Sequence, residues 1–257
     1  MNLRAQYVAY LTIVRKEVTR VFRIWPQTLF PPVITQTLYF LIFGKFIGAQ
    51  INDIHGVTYM AFIVPGLVMM SVINSSFTNV VGSFFNAKFQ RSIEELLVSS
   101  TSNKVIIAGY VTGGVVRGTI VGFLVFVVSI FFTRPQIYNV AVIFSFIFLT
   151  SIVFTLGGLL NAIFAKRFDD ISIFPTFILT PLIYLGGVFY SIDHLPPVWR
   201  ALSKLNPVLY MVNGFRYGFH GFSDVGILGS LCILIIFATL LSITNMVLLN
   251  RGVGLKS

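Results

Sequence analysis

The sequence predicts an all-α polytopic membrane protein: six transmembrane helices, an amphipathic interfacial helix at the N-terminus, a short cytoplasmic helix between spans 2 and 3, a broken re-entrant helix pair before span 6, and both termini cytoplasmic. Three observations carry this. Of 257 residues, 56% are hydrophobic and only 10% are charged, against about 25% charged in an ordinary soluble domain. A soluble fold of this length hides only about three quarters of its surface and leaves no place for so much apolar area. The charges that exist act as fences around long uncharged stretches, each about 20 residues or more, enough for a helix to cross the hydrocarbon. The third observation is that Lys and Arg are unevenly shared between alternate loops. The net charge of +10 could suggest nucleic acid, but the basic residues form no dense patch, and no nucleic-acid partner is expected.

Taken in order, residues 1–23 read as an interfacial helix. Leu3, Tyr7, Tyr10, Leu11, Val14, Val18 and Val21 share one arc, and Arg4, Arg15, Lys16, Arg20 and Arg23 the next, the pattern of a helix lying on anionic headgroups of the bilayer. The spans then fall at 24–48, 58–86, 104–133, 136–165, 171–190 and 225–249, all within a single membrane domain covering 1–257. Basic residues sort with the N-terminus inside: Arg4, Arg15, Lys16, Arg20, Arg23, Lys88, Arg91, Lys104, Lys166, Arg167, Arg251 and Lys256 on one side, and only Lys45, Arg134, Arg200, Lys204 and Arg216 on the other. By the positive-inside rule the first set is cytoplasmic. No internal repeat or low-complexity linker is visible.

In the loop at 88–102, Ser92 and Glu95 have the spacing of a capping box, and Ile93, Leu96 and Leu97 would share one face at i, i+3 and i+4. That face must pack on its own bundle or in a partner's groove. Residues 191–221 are too polar and too often interrupted to cross. Pro196-Pro197 and Asn206-Pro207 divide them into two short helices near 198–205 and 207–219.

Within the spans, Arg117 lies mid-helix beside Gly113, Gly114 and Gly118, at a depth where a charge costs at least about 2.5 kcal/mol unless a cavity or partner receives it. No Asp or Glu falls inside a predicted span to pair with it, so carbonyls, a second subunit or an anionic substrate remain. Span 2 carries Ser71, Asn74, Ser75, Thr78, Gly82 and Asn86 along one stripe, which either glues helices or lines a passage. Asn74, Thr78 and Arg117 are therefore the candidate pathway or bundle-interior residues. The lone Cys232 reads as a small packing residue. His55, His194 and His220 lack metal-ligand spacing, Asp169-Asp170 suit a helix start, and neither a nucleophile elbow nor a G-x-x-x-x-G-K-[ST] loop occurs. No catalytic or metal residue is expected, and the chain is not expected to be an enzyme.

The stretches RKEVTRVFRIWPQTLFPPVI, RSIEELLVSSTSNKVIIAGY and LNPVLYMVNGFRYGF together resemble the permease subunits of type-2 ABC exporters, over nearly the whole chain. The resemblance implies a homodimer of six-span subunits driven by two separate ABC ATPase subunits. ATP and Mg would be bound by those partners, leaving this chain without a cofactor. It implies that the N-terminal helix, with Arg15, Lys16, Glu17, Arg20 and Arg23, is a connector to the ATPase. It also implies that Ser92, Ile93, Glu94, Glu95, Leu96 and Leu97 form the coupling helix. An inner-membrane exporter of an amphipathic, lipidic or polysaccharide substrate is the expected function. A non-transporting assembly scaffold and an ion-coupled carrier are the alternatives, the latter weakened by the lack of acidic residues in the spans.

Overall fold

A computed structural model describes residues 3–99 and 101–254; Lys256 and the side chain of Leu97 lie outside the described residues. The described chain is helical, apart from turns and one isolated bridge between Ile54 and Val57. Its elements are α1 (Leu3–Arg23), α2 (Trp25–Tyr39) continued by a π stretch Phe40–Ile47 and a 3-10 turn Gly48–Gln50, α3 (Tyr59–Phe89), α4 (Ser92–Val98), α5 (Asn103–Ile130) and α6 (Val140–Phe164). There follow α7 (Asp170–Phe174), a π turn Pro175–Leu179, α8 (Thr180–Tyr184), a 3-10 turn Ile192–His194, α9 (Pro197–Lys204), α10 (Pro207–His220) and α11 (Ile227–Arg251).

Among the described residues, five helices are long and apolar enough to cross a membrane: Trp25–Gln50, α3, α5, α6 and α11. The span expected at 171–190 is shorter, an apolar helix over Asp170–Tyr184. Its end is chemical. The chain turns at Gly186-Gly187, where Gly187 takes φ +73°, a conformation open to glycine at little steric cost.

The centre of the bundle is α3, packed mainly against α5 and α6. Glycines set how closely the helices approach, as expected where small residues replace hydrophobic drive between membrane helices. On α5, a Cβ at Gly109 would lie 2.5 Å from Ile13 Cγ2 and one at Gly113 2.6 Å from Glu17 Cβ, so this face receives α1. Gly114 and Gly118 on the adjoining face admit Thr155 and Ser151 of α6, with Ser76 of α3.

α1, expected to lie in an interface, is part of the helix bundle. Ile13, Glu17 and Val21 are buried and pack it against the bundle, while Leu3, Tyr7, Leu11 and Phe22 stay exposed. Arg15, Lys16 and Arg23 remain on the outside.

One end of the bundle gathers α4, the 165–169 turn and the last turn of α11. Lys88 Nζ donates to the carbonyls of Ile163 and Ala165, the Ser102 amide donates to Gln6, and Asn103 donates to Asn250 Oδ1. The far end holds the Ile54–Val57 turn, the 131–139 segment and the 190–226 region; there Tyr59 Oη donates to the Phe189 carbonyl and the Tyr138 amide to that of Gly218.

The predicted pair of short helices before the last span is present as α9 and α10. Asn206 caps α10 by accepting from Val208 N at 3.0 Å, and its amide donates to Leu182 O at 2.6 Å, tying α10 to α8. α10 is largely buried among α3, α6 and α11. Arg216, sorted by the sequence to the non-cytoplasmic side, is fully buried on it. Cys232, expected as a packing residue, is exposed on α11.

Candidate functional site

The deciding geometry lies on α3. From Phe62 to Ala87 every residue is buried except Asn74, Thr78, Gly82 and Asn86. These stand four apart, which puts them on one slowly drifting face of a helix. A Cβ at Gly82 would meet nothing within 4 Å. Thr78 Oγ1 donates to Asn74 O at 2.7 Å and Asn86 Nδ2 to Gly82 O at 2.7 Å. The stripe read from the sequence thus separates into two. Ser71 and Ser75 turn inward, with Ser71 bonded to the Leu67 carbonyl. The Asn74–Asn86 line is the open strip of an otherwise packed span.

Directly behind it sits a charged cluster. Glu17 of α1 is fully buried, accepts from Ser83 Oγ at 2.5 Å and from Arg20 at 2.9 Å, and Arg20 also donates to Asn79 O and Oδ1 at 3.0 and 2.9 Å. Asn79 and Ser83 are the sequence neighbours of Thr78 and Gly82. A helix expected to lie outside the spans thereby delivers a carboxylate to the inner helices, where it pairs with Arg20 and not with Arg117. Buried charges persist when paired and hydrogen-bonded, and the trio of Arg20, Asn79 and Ser83 supplies that here.

Arg117 points to the junction of α1 and α2, where its guanidinium donates to the Thr28 carbonyl at 3.3 Å. Of the readings left open, a carbonyl-bonded arginine is the arrangement found. It is not on the open stripe with Asn74 and Thr78.

α4 differs from expectation in two ways. Ser92 does not form a capping box: Arg91 precedes the helix in a left-handed conformation, φ +59°, and Ser92 Oγ donates to Ala87 O. Ile93 is 1% exposed and, with half-buried Leu96, packs into the bundle's own core beside Phe84 and Ile106. Glu94, Glu95 and Val98 face outward, with Phe89 also exposed.

At the far end, Arg216 rests 3.9 Å over the Phe62 ring and donates to Gly187 O at 2.7 Å and Asn213 Oδ1 at 3.3 Å. Close to it, His55, Asp193 and Asp224 bring one ligand atom each within 4.8 Å of one another. They come from three separate segments, so sequence spacing carries no trace of the grouping.

The profile for ABC-2 type transporters covers residues 8–220. The chain belongs to the ABC-2 type transporter family. It is 55% identical to the inner membrane transport permease YadH of Escherichia coli (strain K12) over 251 residues, 98% of both chains. It is also 22% identical to nodulation protein J of Neorhizobium galegae over 225 residues, 86% of each chain, and 24% identical to nodulation protein J of Rhizobium leguminosarum bv. trifolii over 209 residues, 80% of each. The chain is thus a membrane transport permease, and membership implies association with an ABC ATPase partner.

Proposed function

We propose that this chain is the membrane subunit of an ATP-driven exporter in the bacterial inner membrane. Two copies pair, two ATPase subunits dock below them, and ATP and Mg are bound on those subunits. Residues 171–190, from the body of the Asp170–Tyr184 helix onward, make the sixth crossing, and both termini are cytoplasmic. The observation that carries the reading is the open line Asn74–Thr78–Gly82–Asn86. Polar groups in a span face a bundle interior or a water-filled cavity, and one chain alone leaves this line uncovered. A second copy facing it encloses a passage bordered by the line.

The substrate is amphipathic, lipidic or a polysaccharide. Movement follows from the bistable packing of helices. Closure of the ATPases pushes on α4 and α1. Ile93 and Leu96 hold α4 to its own bundle, so the docking chemistry falls to Glu94, Glu95 and Val98. The push passes through α1 to the Glu17–Arg20 cluster behind the stripe. The inner-membrane location is carried by YadH's name and the chain's own apolar helices.

The test is purification of the tagged permease from its native membrane. An ATPase subunit should co-purify in equal amount, and reversal of charge in Glu94→Lys/Glu95→Lys should reduce its recovery several-fold while membrane insertion stays normal. A complex that transports without any nucleotide-hydrolysing partner overturns the reading, in favour of an ion-coupled carrier. Normal recovery with no transport under any condition favours a scaffold.

A further inference from the structure

We propose that His55, Asp193 and Asp224 form a mixed nitrogen–oxygen site for a divalent transition cation of the zinc type at the far end of the bundle. The fixed member of the site is Asp224. Its side chain is 1% exposed, and Ile192 N–H donates to Oδ2 at 3.0 Å, which fixes the plane of the carboxylate. Oδ1 is buried and has no hydrogen-bond partner. A buried acceptor left without a donor carries a desolvation penalty, and such groups are rare enough in native proteins to call for an explanation. The near group is His55 Nε2, at 3.8 Å, too far for a hydrogen bond.

A cation supplies what Oδ1 lacks. His55 Nε2 and an Asp193 carboxylate oxygen complete three ligands within 4.8 Å of one another. One imidazole and two carboxylates are a donor set suited to zinc and its neighbours, with a fourth position open to water. Contraction to bonding distance requires movement of two side chains only. Those of His55 and Asp193 are 39% and 49% exposed, on a turn and a 3-10 segment, while Asp224 stays fixed. The His55 ring is oriented by Phe222, 4.9 Å away between centroids, which also stacks on His220 and keeps that histidine out of the group.

Two arginines bear on the charge. Arg200 lies 3.5 Å from Asp193 Oδ1, but it is held independently by the carbonyls of Ile192 and Asp193, so releasing the carboxylate leaves it bonded. Arg216 feels the charge of Asp224 and is already bonded to Gly187 and Asn213. With both guanidiniums still beside them the two carboxylates are charge-balanced, so the hold on a divalent ion comes from the donor set itself. The exposed side chains of His55 and Asp193 give the ion its path from water. When filled, the site joins the turn before α3 to the segments on both sides of α9 and α10, stapling the far end.

The experiment is equilibrium dialysis of the full chain in detergent, tag removed and stripped with chelator, against Zn2+ alone and with Mg2+ or Ca2+ as competitors. One saturable Zn2+ per chain is expected, with affinity falling at least about tenfold in each of His55→Asn and Asp224→Asn. Asn tolerates the positive φ of His55 and keeps an acceptor for Ile192 N–H at 224. His194→Asn should leave binding unchanged, and Zn2+ should raise the melting temperature of the wild type and not of the ligand variants. Asp193→Asn, on an exposed side chain, replaces either variant that fails to fold. Absence of saturable binding, binding that survives the ligand substitutions, or equal competition by Mg2+ or Ca2+ overturns the proposal.

Discussion

At the scale of single residues, the Glu17–Arg20 pair joins two helices of different character, and its energetics follow from burial. Removing one member of a buried pair strands the other, at a cost of about 3–5 kcal/mol. Arg20 retains 29% exposure of its side chain, so the lower end applies. Glu17→Ala should lower stability by about 3 kcal/mol, while Glu17→Gln, which still accepts from Ser83, should cost less; thermal unfolding in detergent separates them. Asp170 offers a second case outside the spans. Its Oδ2 accepts from the amides of Lys166 and Arg167 at 2.8 and 2.9 Å, and these bonds hold its pKa below the ordinary 3.8. Because the folded value is depressed, the stabilisation is present above the ordinary carboxylate range and lost as pH falls through the lowered value. A pH series of melting curves should therefore show a shallower acid-side decline for Asp170→Asn than for wild type. Asp170 was read in the sequence as an acid at a helix start, where it stands, but the role of Glu17 was not visible. Glu17 lay among basic neighbours on a helix read as interfacial, and only tertiary contact reveals which side of it is buried.

At the scale of elements, close approach is what the helices are built for, and glycine is where it can be tested. A Cβ on Gly158 would stand 2.6 Å from the carbonyl oxygen of Phe77. Backbone cannot step aside as a side-chain tip can, so α3 and α6 would have to part. Gly158→Ala should cost about 1–3 kcal/mol through overpacking, whereas Gly157→Ala, whose Cβ meets nothing within 4 Å, should be neutral or better; the paired melting temperatures check this. The long helices were legible because apolar length between charges is a strong signal, and α9 and α10 because Pro197, Asn206 and Pro207 mark their starts. The helix over Asp170–Tyr184 read as a full span because an uncharged stretch does not reveal the turn at Gly186-Gly187. The amphipathic pattern of α4 was legible too, yet Ile93 spends its apolar side on its own core, an outcome that periodicity alone leaves open.

At the scale of the whole molecule, two kinds of exposed surface coexist on the spans and should behave differently in a membrane. Phe144 and Ile236 are 61% and 55% exposed and are chemically suited to lipid. Asn74, Thr78 and Asn86 are open but polar, and a lone chain would turn them to the same hydrocarbon. Cysteine chemistry distinguishes the environments, because maleimide reacts with the thiolate, a species that forms in water and is suppressed in apolar surroundings. With exposed Cys232 first replaced by Ala, single Cys substitutions at Thr78 and Asn86 should label with a water-soluble maleimide in intact membranes. Those at Phe144 and Ile236 should stay largely unlabelled. If the stripe lines a passage between two copies, adding the ATPase partner with a nonhydrolysable nucleotide should change the labelling rate at Thr78 several-fold and leave the lipid-facing controls alone. Equal and nucleotide-independent labelling at all four positions would mean the strip is ordinary surface. Silence at Thr78 and Asn86 in every state would mean it is sealed helix to helix, and the polar residues would then serve as glue between spans.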